Sequence, residues 1–181
     1  MNKITLTIGK VVLSLPIAYG LAYPFLYPTA GGGVLGEKEM LGTTGSAVVA
    51  LVFLMLVLLY ANDLKTTLTL VHRESRAAEP SSVWLMFLLP YNFIEDFFII
   101  SNVAKSLESE ARISPALAKL KSFGRASGFG WCLAQVISLT PNSAGSVAGI
   151  AAIVLWIWHW IFVRRTNSVL KWSKTSTTAP A

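Results

Sequence analysis

The stretch that decides the fold of this chain is VWLMFLLPYNFIEDFFIISNVAKSL, residues 83–107. It is apolar enough to enter a membrane, but Pro90 interrupts it and the acidic residues Glu95 and Asp96 follow soon afterwards. A helix crossing the bilayer here would hold both acids near the midplane, at about 2.5 to 3.5 kcal/mol for each acid. The position of this stretch therefore decides between two topologies.

Composition sets the class of protein around this stretch. Of the 181 residues, 54% are hydrophobic and 13% are charged, which is typical of a polytopic membrane protein and not of a soluble domain. Two apolar runs, 47–60 and 147–163, approach with their flanking residues the roughly 20 residues that a helix needs to cross a hydrocarbon core. Two further candidates are 10–27, which carries Pro and Gly, and 126–139, which is short and rich in Gly. We predict an all-α membrane domain over 1–172 with a disordered tail at 173–181. The predicted spans are about 8–27, 46–64, 124–140 and 145–163.

For residues 83–107 we favour a re-entrant or interfacial helical hairpin over a fifth span. The first arm enters the cytoplasmic leaflet, Pro90 breaks it, and the second arm returns as an amphipathic helix. In this arrangement neither acid has to cross the bilayer. Four transmembrane helices plus the hairpin is thus the predicted fold, and five transmembrane helices is the alternative.

The distribution of Lys and Arg agrees with the hairpin. If 83–107 does not cross, both termini are cytoplasmic and Lys38 alone lies outside, as the positive-inside rule expects. If it does cross, the most basic loop and the Arg164–Arg165 pair fall on opposite sides. The predicted location is the plasma (inner) membrane, and the chain presents a basic face to the cytoplasm. This basic face comprises Lys105, Arg112, Lys119, Lys121, Arg125, Arg164 and Arg165.

The candidate functional residues are the polar positions of the second arm: Asn92, Glu95, Asp96 and Asn102. The plainer interpretation is a solvated or headgroup-facing edge of an interfacial helix. The alternative is a proton-relay, cation-binding or catalytic role. Adjacent helical residues project about 100° apart, so Glu95 and Asp96 are poorly placed to chelate one metal without a third ligand.

Two histidines, His72 and His159, are the sole candidates for a bis-histidine haem b site. Among Trp156, Trp158 and Trp160, His159 is better interpreted as part of an aromatic interface belt. Cys132 is single, and the chain carries no metal-binding cluster, nucleotide fingerprint or catalytic triad pattern. We therefore predict no cofactor and no metal.

Small residues recur at four-residue spacing in the last two predicted helices. These are Gly124 and Gly128, then Gly145 and Gly149. Such spacing lets helices approach closely within lipid, and we favour packing within the bundle over a homodimer face. The expected partners are the lipid bilayer and a membrane protein or a second copy, and no nucleic acid.

The order of these features resembles a known family. Two helices lead to Trp84, Pro90 and Asn92 and an amphipathic helix, and two more helices end in Val163, Arg164 and Arg165. This layout resembles the uncharacterised bacterial family called domain of unknown function 4328. The resemblance implies the hairpin topology and a bacterial membrane, and it implies no activity.

Three classes of function follow from the sequence. We favour a non-enzymatic accessory, regulatory or assembly subunit that contacts lipid or a partner through the basic face. The second class is a small transporter or channel that uses Glu95 and Asp96. The third is an intramembrane enzyme acting on a lipid or redox carrier, with these acids as acid/base groups at the interface.

Overall fold

The computed structural model of the protein describes residues 2–27, 33–118, 120 and 122–178. Within these ranges the chain is helical and contains no strand, which confirms the all-α prediction. Two 3-10 segments, Arg73–Ser75 and Pro80–Phe87, connect the second and third α helices. The α helices are α1 Lys3–Leu26, α2 Gly33–Leu70, α3 Asn92–Ala111, α4 Arg125–Ile137 and α5 Ser143–Thr178.

Among the described residues, three helical stretches are long and apolar enough to cross a membrane: Ile4–Tyr23, Gly42–Leu70 and Ser143–Thr175. They include the first, second and fourth predicted spans almost completely. The predicted span at 124–140 is not among them, because its helix α4 has 13 residues and rises only about 20 Å, against a core of about 30 Å. The structure therefore supports three of the four predicted spans by length and composition.

The second and last helices are longer than predicted. α2 begins at Gly33, and Gly42 interrupts it with a φ of 66°, a left-handed value that glycine adopts without strain. α5 continues to Thr178, so residues 173–178 of the predicted disordered tail are helical. Near this end Ser173 Oγ donates to Leu170 O and Thr175 Oγ1 donates to Lys171 O, each one turn back along the helix. Residues 179–181 lie outside the described residues.

Side-chain contacts define the directions of α2 and α5. Along both helices in the same order, Phe53 packs on Trp156, Tyr60 on Trp160, and Thr67 donates to Asn167. α2 and α5 are therefore parallel, and each contacting residue of α2 lies beside an α5 residue whose number is about a hundred higher.

α4 runs back along α5 and forms the most extensive helix contact of the bundle. Gly124 lies against Phe162, Gly130 against Leu155, and Ser138 against Gly149, so residue numbers fall on one helix as they rise on the other. The two helices are thus antiparallel over the whole length of α4.

α3 is antiparallel to α4 in turn. Asp96 bonds to Gln135, Phe97 stacks on Phe129, and Glu108 pairs with Arg125. The start of α3 therefore lies deep in the bundle, beside the end of α4, while its end lies beside the start of α4. The chain turns at 88–91, immediately before α3, as the proline break predicts.

Candidate functional site

The acidic residues of α3 are buried. Glu95 is 5% exposed and Asp96 is 1% exposed, so the predicted solvated edge is wrong for both. α3 contacts α1, α2, α4 and the segment Pro80–Phe87, and with neighbours on several sides it has no continuous solvent face at this level. Because adjacent residues project about 100° apart, the two acids meet different helices.

Glu95 points to α1, where it pairs with Lys10. Lys10 Nζ lies 2.5 Å from Glu95 Oε2, and their side chains are 11% and 7% exposed. The same ammonium lies 3.9 Å from the centre of the Phe98 ring, which adds a cation–π contact. Lys10 is a member of this buried region that the sequence did not predict. Its signal was a charge near the start of the first predicted span, and its partner lies 85 residues away.

Asp96 points to α4, where Gln135 Nε2 donates to Asp96 Oδ2 at 3.0 Å. Its other oxygen, Oδ1, is buried and has no hydrogen-bond partner. Burial raises the pKa of Asp96 to about 7. The Gln135 hydrogen bond acts in the opposite direction and lowers this pKa, and the nearby Glu95 charge makes a smaller contribution that raises it. Glu95 is paired with the Lys10 ammonium, whereas the hydrogen-bond partner of Asp96 is the neutral amide of Gln135.

An aromatic cluster lies beside Asp96. The Tyr60 ring packs edge-on against Trp131, Trp156, His159 and Trp160, with ring centres 5.5 to 6.0 Å apart. Tyr60 is fully buried, and its hydroxyl group has no hydrogen-bond partner. Both His159 nitrogens are also buried without a partner, so this histidine lies inside the bundle and not in an interface belt.

The two asparagines of the predicted polar positions differ in their surroundings. Asn92 lies one turn before Asp96, and its side-chain oxygen is buried without a partner. Asn102 is half-buried, and its carbonyl accepts a hydrogen bond from Ser106 Oγ at 2.7 Å. The structure thus brings Asn92, Glu95 and Asp96 into one buried region, and Asn102 lies two turns away from Glu95 along α3.

His72 and His159 do not come together. His72 follows the end of α2, where its Nδ1 lies 2.6 Å from Glu110 Oε1. His159 packs against Tyr60, about twelve residues earlier along α2, which corresponds to roughly 18 Å of helix. A haem iron bound by both histidines does not fit this arrangement. Among the described residues, no group of three or more His, Cys, Asp or Glu side chains is placed to hold a metal ion.

An apolar cavity of about 480 Å³ opens beside the start of α3. α1, the end of α4 and the turn after it form its walls together with Ile94, which precedes Glu95. Such a lining suits an acyl chain better than a polar solute. Its residues include Leu13, Ile17, Tyr23, Ile94, Val136 and Leu139.

The predicted packing glycines lie at close contacts inside the chain. Gly124 has a φ of 74° and faces Phe162, while Gly128 lies between Ile100 of α3 and His159 of α5. Gly145 lies against the Thr140 carbonyl, and Gly149 contacts Ser138.

We expect Gly128→Ala to destabilise the protein by about 1 to 3 kcal/mol, because overpacking forces neighbours to move. An added Cβ would lie 2.5 Å from Ile100 Cγ2 and 3.0 Å from His159 Nε2. Gly9→Ala is the matched control, since a Cβ there meets nothing within 4 Å. Thermal unfolding in detergent measures both variants, and equal stability of the two would contradict close packing at Gly128.

The basic face is exposed where the structure describes it. Lys105, Arg112, Arg125 and Arg165 are exposed, and the Arg164 side chain is 71% exposed while lying 3.8 Å from Asp63. Arg125 donates to Glu108 at 2.6 Å. Lys119 and Lys121 lie outside the described residues.

Comparison of the chain with protein-family models, with curated proteins and with solved structures finds no match. The described residues define an all-helical protein with three helices long and apolar enough to cross a membrane and with a buried polar region. The resemblance to the family of unknown function stays a prediction.

Proposed function

We propose that the protein is a non-enzymatic membrane protein, an accessory, regulatory or assembly subunit that contacts anionic lipid or a partner through its basic face. The observation that carries this proposal is the clustering of exposed cations at one end of the bundle. The end of α3, the start of α4 and the part of α5 after Val163 meet there, because α4 is antiparallel to both neighbours. Arginine and lysine at such an end attract anionic headgroups.

The buried acids argue against the two other classes of function. An interfacial enzyme needs acid/base groups that its substrate can reach, and Glu95 and Asp96 are almost fully buried. A channel needs a polar path, whereas Lys10 closes on Glu95 and the neighbouring cavity has an apolar lining. Both arrangements favour a packed bundle that presents its surface to other molecules.

The proposed topology places both termini in the cytoplasm of the inner membrane, with 83–107 as a re-entrant hairpin. Gln135 lies between the α4 residues that contact Leu155 and Gly149, so Asp96 is about level with residues 151–152 of α5. That level is roughly 18 Å before Val163, where the apolar part of α5 ends. The hairpin would therefore reach about halfway into the bilayer, and residues 124–142 would return the chain to the outside.

Thiol labelling in intact cells tests this topology. In a Cys132→Ser background, we expect single cysteines at Ser122 and Ser168 to be protected from an impermeant maleimide and one at Ser143 to react. All three serines are exposed, while the native Cys132 is buried, so accessibility reports the side of the membrane. Labelling of Ser122 from outside would show that 83–107 crosses the membrane.

Nanodiscs of defined composition test the lipid contact. We expect anionic phosphatidylglycerol to raise the unfolding temperature over pure phosphatidylcholine, at about 1 kcal/mol for each cation near the surface. The variant Lys105→Gln/Arg112→Gln/Arg165→Gln should lose most of that increase, and so should high salt.

The matched control reverses the sign of the charge change. Glu74 and Glu79 are exposed on the connection between α2 and α3, so Glu74→Gln/Glu79→Gln should keep or enlarge the effect of anionic lipid. Equal unfolding temperatures of the wild type in both lipids would contradict a lipid contact of the basic face.

A further inference from the structure

Three polar oxygen atoms near the start of α3 are buried and have no partner. They are Asp96 Oδ1, Asn92 Oδ1 and the hydroxyl oxygen of Tyr60. Asp96 is 1% exposed and Tyr60 is fully buried, so water does not reach them from the surface. A buried polar group without a hydrogen bond typically costs about 1 to 3 kcal/mol. This region is therefore short of hydrogen-bond partners.

The chemistry of the α3 pair shows what is missing. The side-chain oxygen of Asn92 and an ionised Asp96 carboxylate can only accept hydrogen bonds. They lie four residues apart on α3, the spacing at which helical side chains are neighbours. Gln135 already donates to the other Asp96 oxygen. A proton on Asp96 Oδ1 would turn one of two neighbouring acceptors into a donor.

We propose that the Asp96 carboxyl group, held by Gln135 of α4 and lying beside Tyr60 of α2, is a proton-binding site inside the helix bundle. The protonated carboxyl donates to the oxygen of Asn92, its neighbour one turn earlier on α3, and the ionised carboxylate leaves the Asn92 oxygen without a donor. The bound ligand is one proton, and the site exchanges it without a change in any covalent bond to carbon. This inference does not rest on the proposed function.

The neighbouring groups leave Asp96 without a counter-charge. Glu95 directly precedes Asp96 on α3, and Tyr91 is the residue immediately before that helix. From α1, Lys10 is paired with Glu95. Tyr60 of α2 and Cys132 of α4 are close enough to interact electrostatically with Asp96. His159 of α5 packs on Tyr60, and the segment Pro80–Phe87 carries no titratable side chain. The cation nearest to this region is thus already used by Glu95.

A metal cation fits the site less well than a proton. Asp96, Asn92 and Tyr60 offer three uncommitted oxygen atoms, whereas calcium takes six to eight oxygen ligands and magnesium six. The Gln135 amide presents its nitrogen, a hydrogen-bond donor, to Asp96. A proton on Asp96 Oδ1 instead satisfies that oxygen and the Asn92 oxygen through one hydrogen bond.

Infrared spectroscopy of the purified full chain in nanodiscs tests the proposal, because a protonated carboxyl group absorbs apart from carboxylates. We expect one buried carboxylic acid in the wild type, with a titration midpoint of about 7. Asp96→Asn should remove this signal. Glu108→Gln is the matched control on the same helix, since Glu108 is 40% exposed and paired with Arg125, and it should leave the signal unchanged.

Three results would overturn the proposal. One is a wild type whose carboxyl groups all titrate below about pH 5, close to the usual range of Asp and Glu, and this result needs no variant to fold. Another is a neutral-range signal that persists in Asp96→Asn. The last is a titration midpoint that falls when sodium or potassium chloride replaces another salt at constant ionic strength. Competition between these ions and the proton would identify the ligand as a metal cation.

Discussion

Lys10→Met should destabilise the folded protein by about 3 to 5 kcal/mol, because it leaves the Glu95 carboxylate buried without a partner. Glu95 is 5% exposed, and the ammonium group of Lys10 forms the ion pair with its carboxylate. Methionine retains the length and apolar character of the lysine stem, so the substitution removes the charge with little change in packing. Unfolding in mixed non-ionic and ionic detergent micelles measures the loss.

Two comparisons separate the charge from other effects of this substitution. The double variant Lys10→Met/Glu95→Met removes both charges and should recover most of the lost stability, since an apolar replacement of a buried ion pair is often neutral. The exposed pair of Glu108 and Arg125 is the control, and Arg125→Met should cost less than about 1 kcal/mol. An equal loss at both sites, or no recovery in the double variant, would contradict a buried pair between α1 and α3.

Asp96→Asn should stabilise the protein at pH 8 and abolish much of its pH dependence. The pKa of Asp96 is about 7 in the folded protein, against a usual 3.8. Between these values the folded state binds the proton that the unfolded state has released, so wild-type stability falls as the pH rises. By pH 8 the accumulated cost is on the order of 4 kcal/mol, and an amide avoids it.

The measurement is the unfolding temperature from pH 5 to pH 8. We expect the wild type to lose stability across this range and Asp96→Asn to stay nearly constant. Gln135 can turn its amide so that its oxygen accepts from the amide nitrogen introduced at position 96, which keeps the contact between α3 and α4. A wild-type stability that rises with pH over the same range would contradict a raised pKa at Asp96.

Properties that depend on neighbouring residues could be predicted from the sequence. The apolar runs of α1, α2 and α5 mark helices able to cross a membrane, because hydropathy and length are local properties. The break at Pro90 and the helix after it also follow from local rules, since proline ends the preceding segment. The amphipathic pattern of α3 is less informative. It suggests a solvated edge at Glu95, where α1 and α4 supply the covering surface.

The buried polar region could not be predicted in the same way. Lys10 and Glu95 are 85 residues apart, and nothing in either neighbourhood indicates the other. Tyr60 ends an apolar run in which a tyrosine is not unusual, and by sequence Gln135 is simply one polar residue in α4. α4 itself has only 13 residues, fewer than a span needs, and its antiparallel packing on α5 is a tertiary contact that its own sequence does not indicate.

The sequence by itself determined the class of the protein, an all-helical chain with helices that can cross a membrane, because composition and apolar run length decide how a segment partitions between water and lipid. The tertiary structure alone decided the surroundings of Glu95 and Asp96. A carboxyl group acquires its partner and its exposure from helices that are distant in sequence. Lys10 neutralises Glu95, while Gln135 and the aromatic cluster around Tyr60 leave Asp96 buried with one unpaired oxygen.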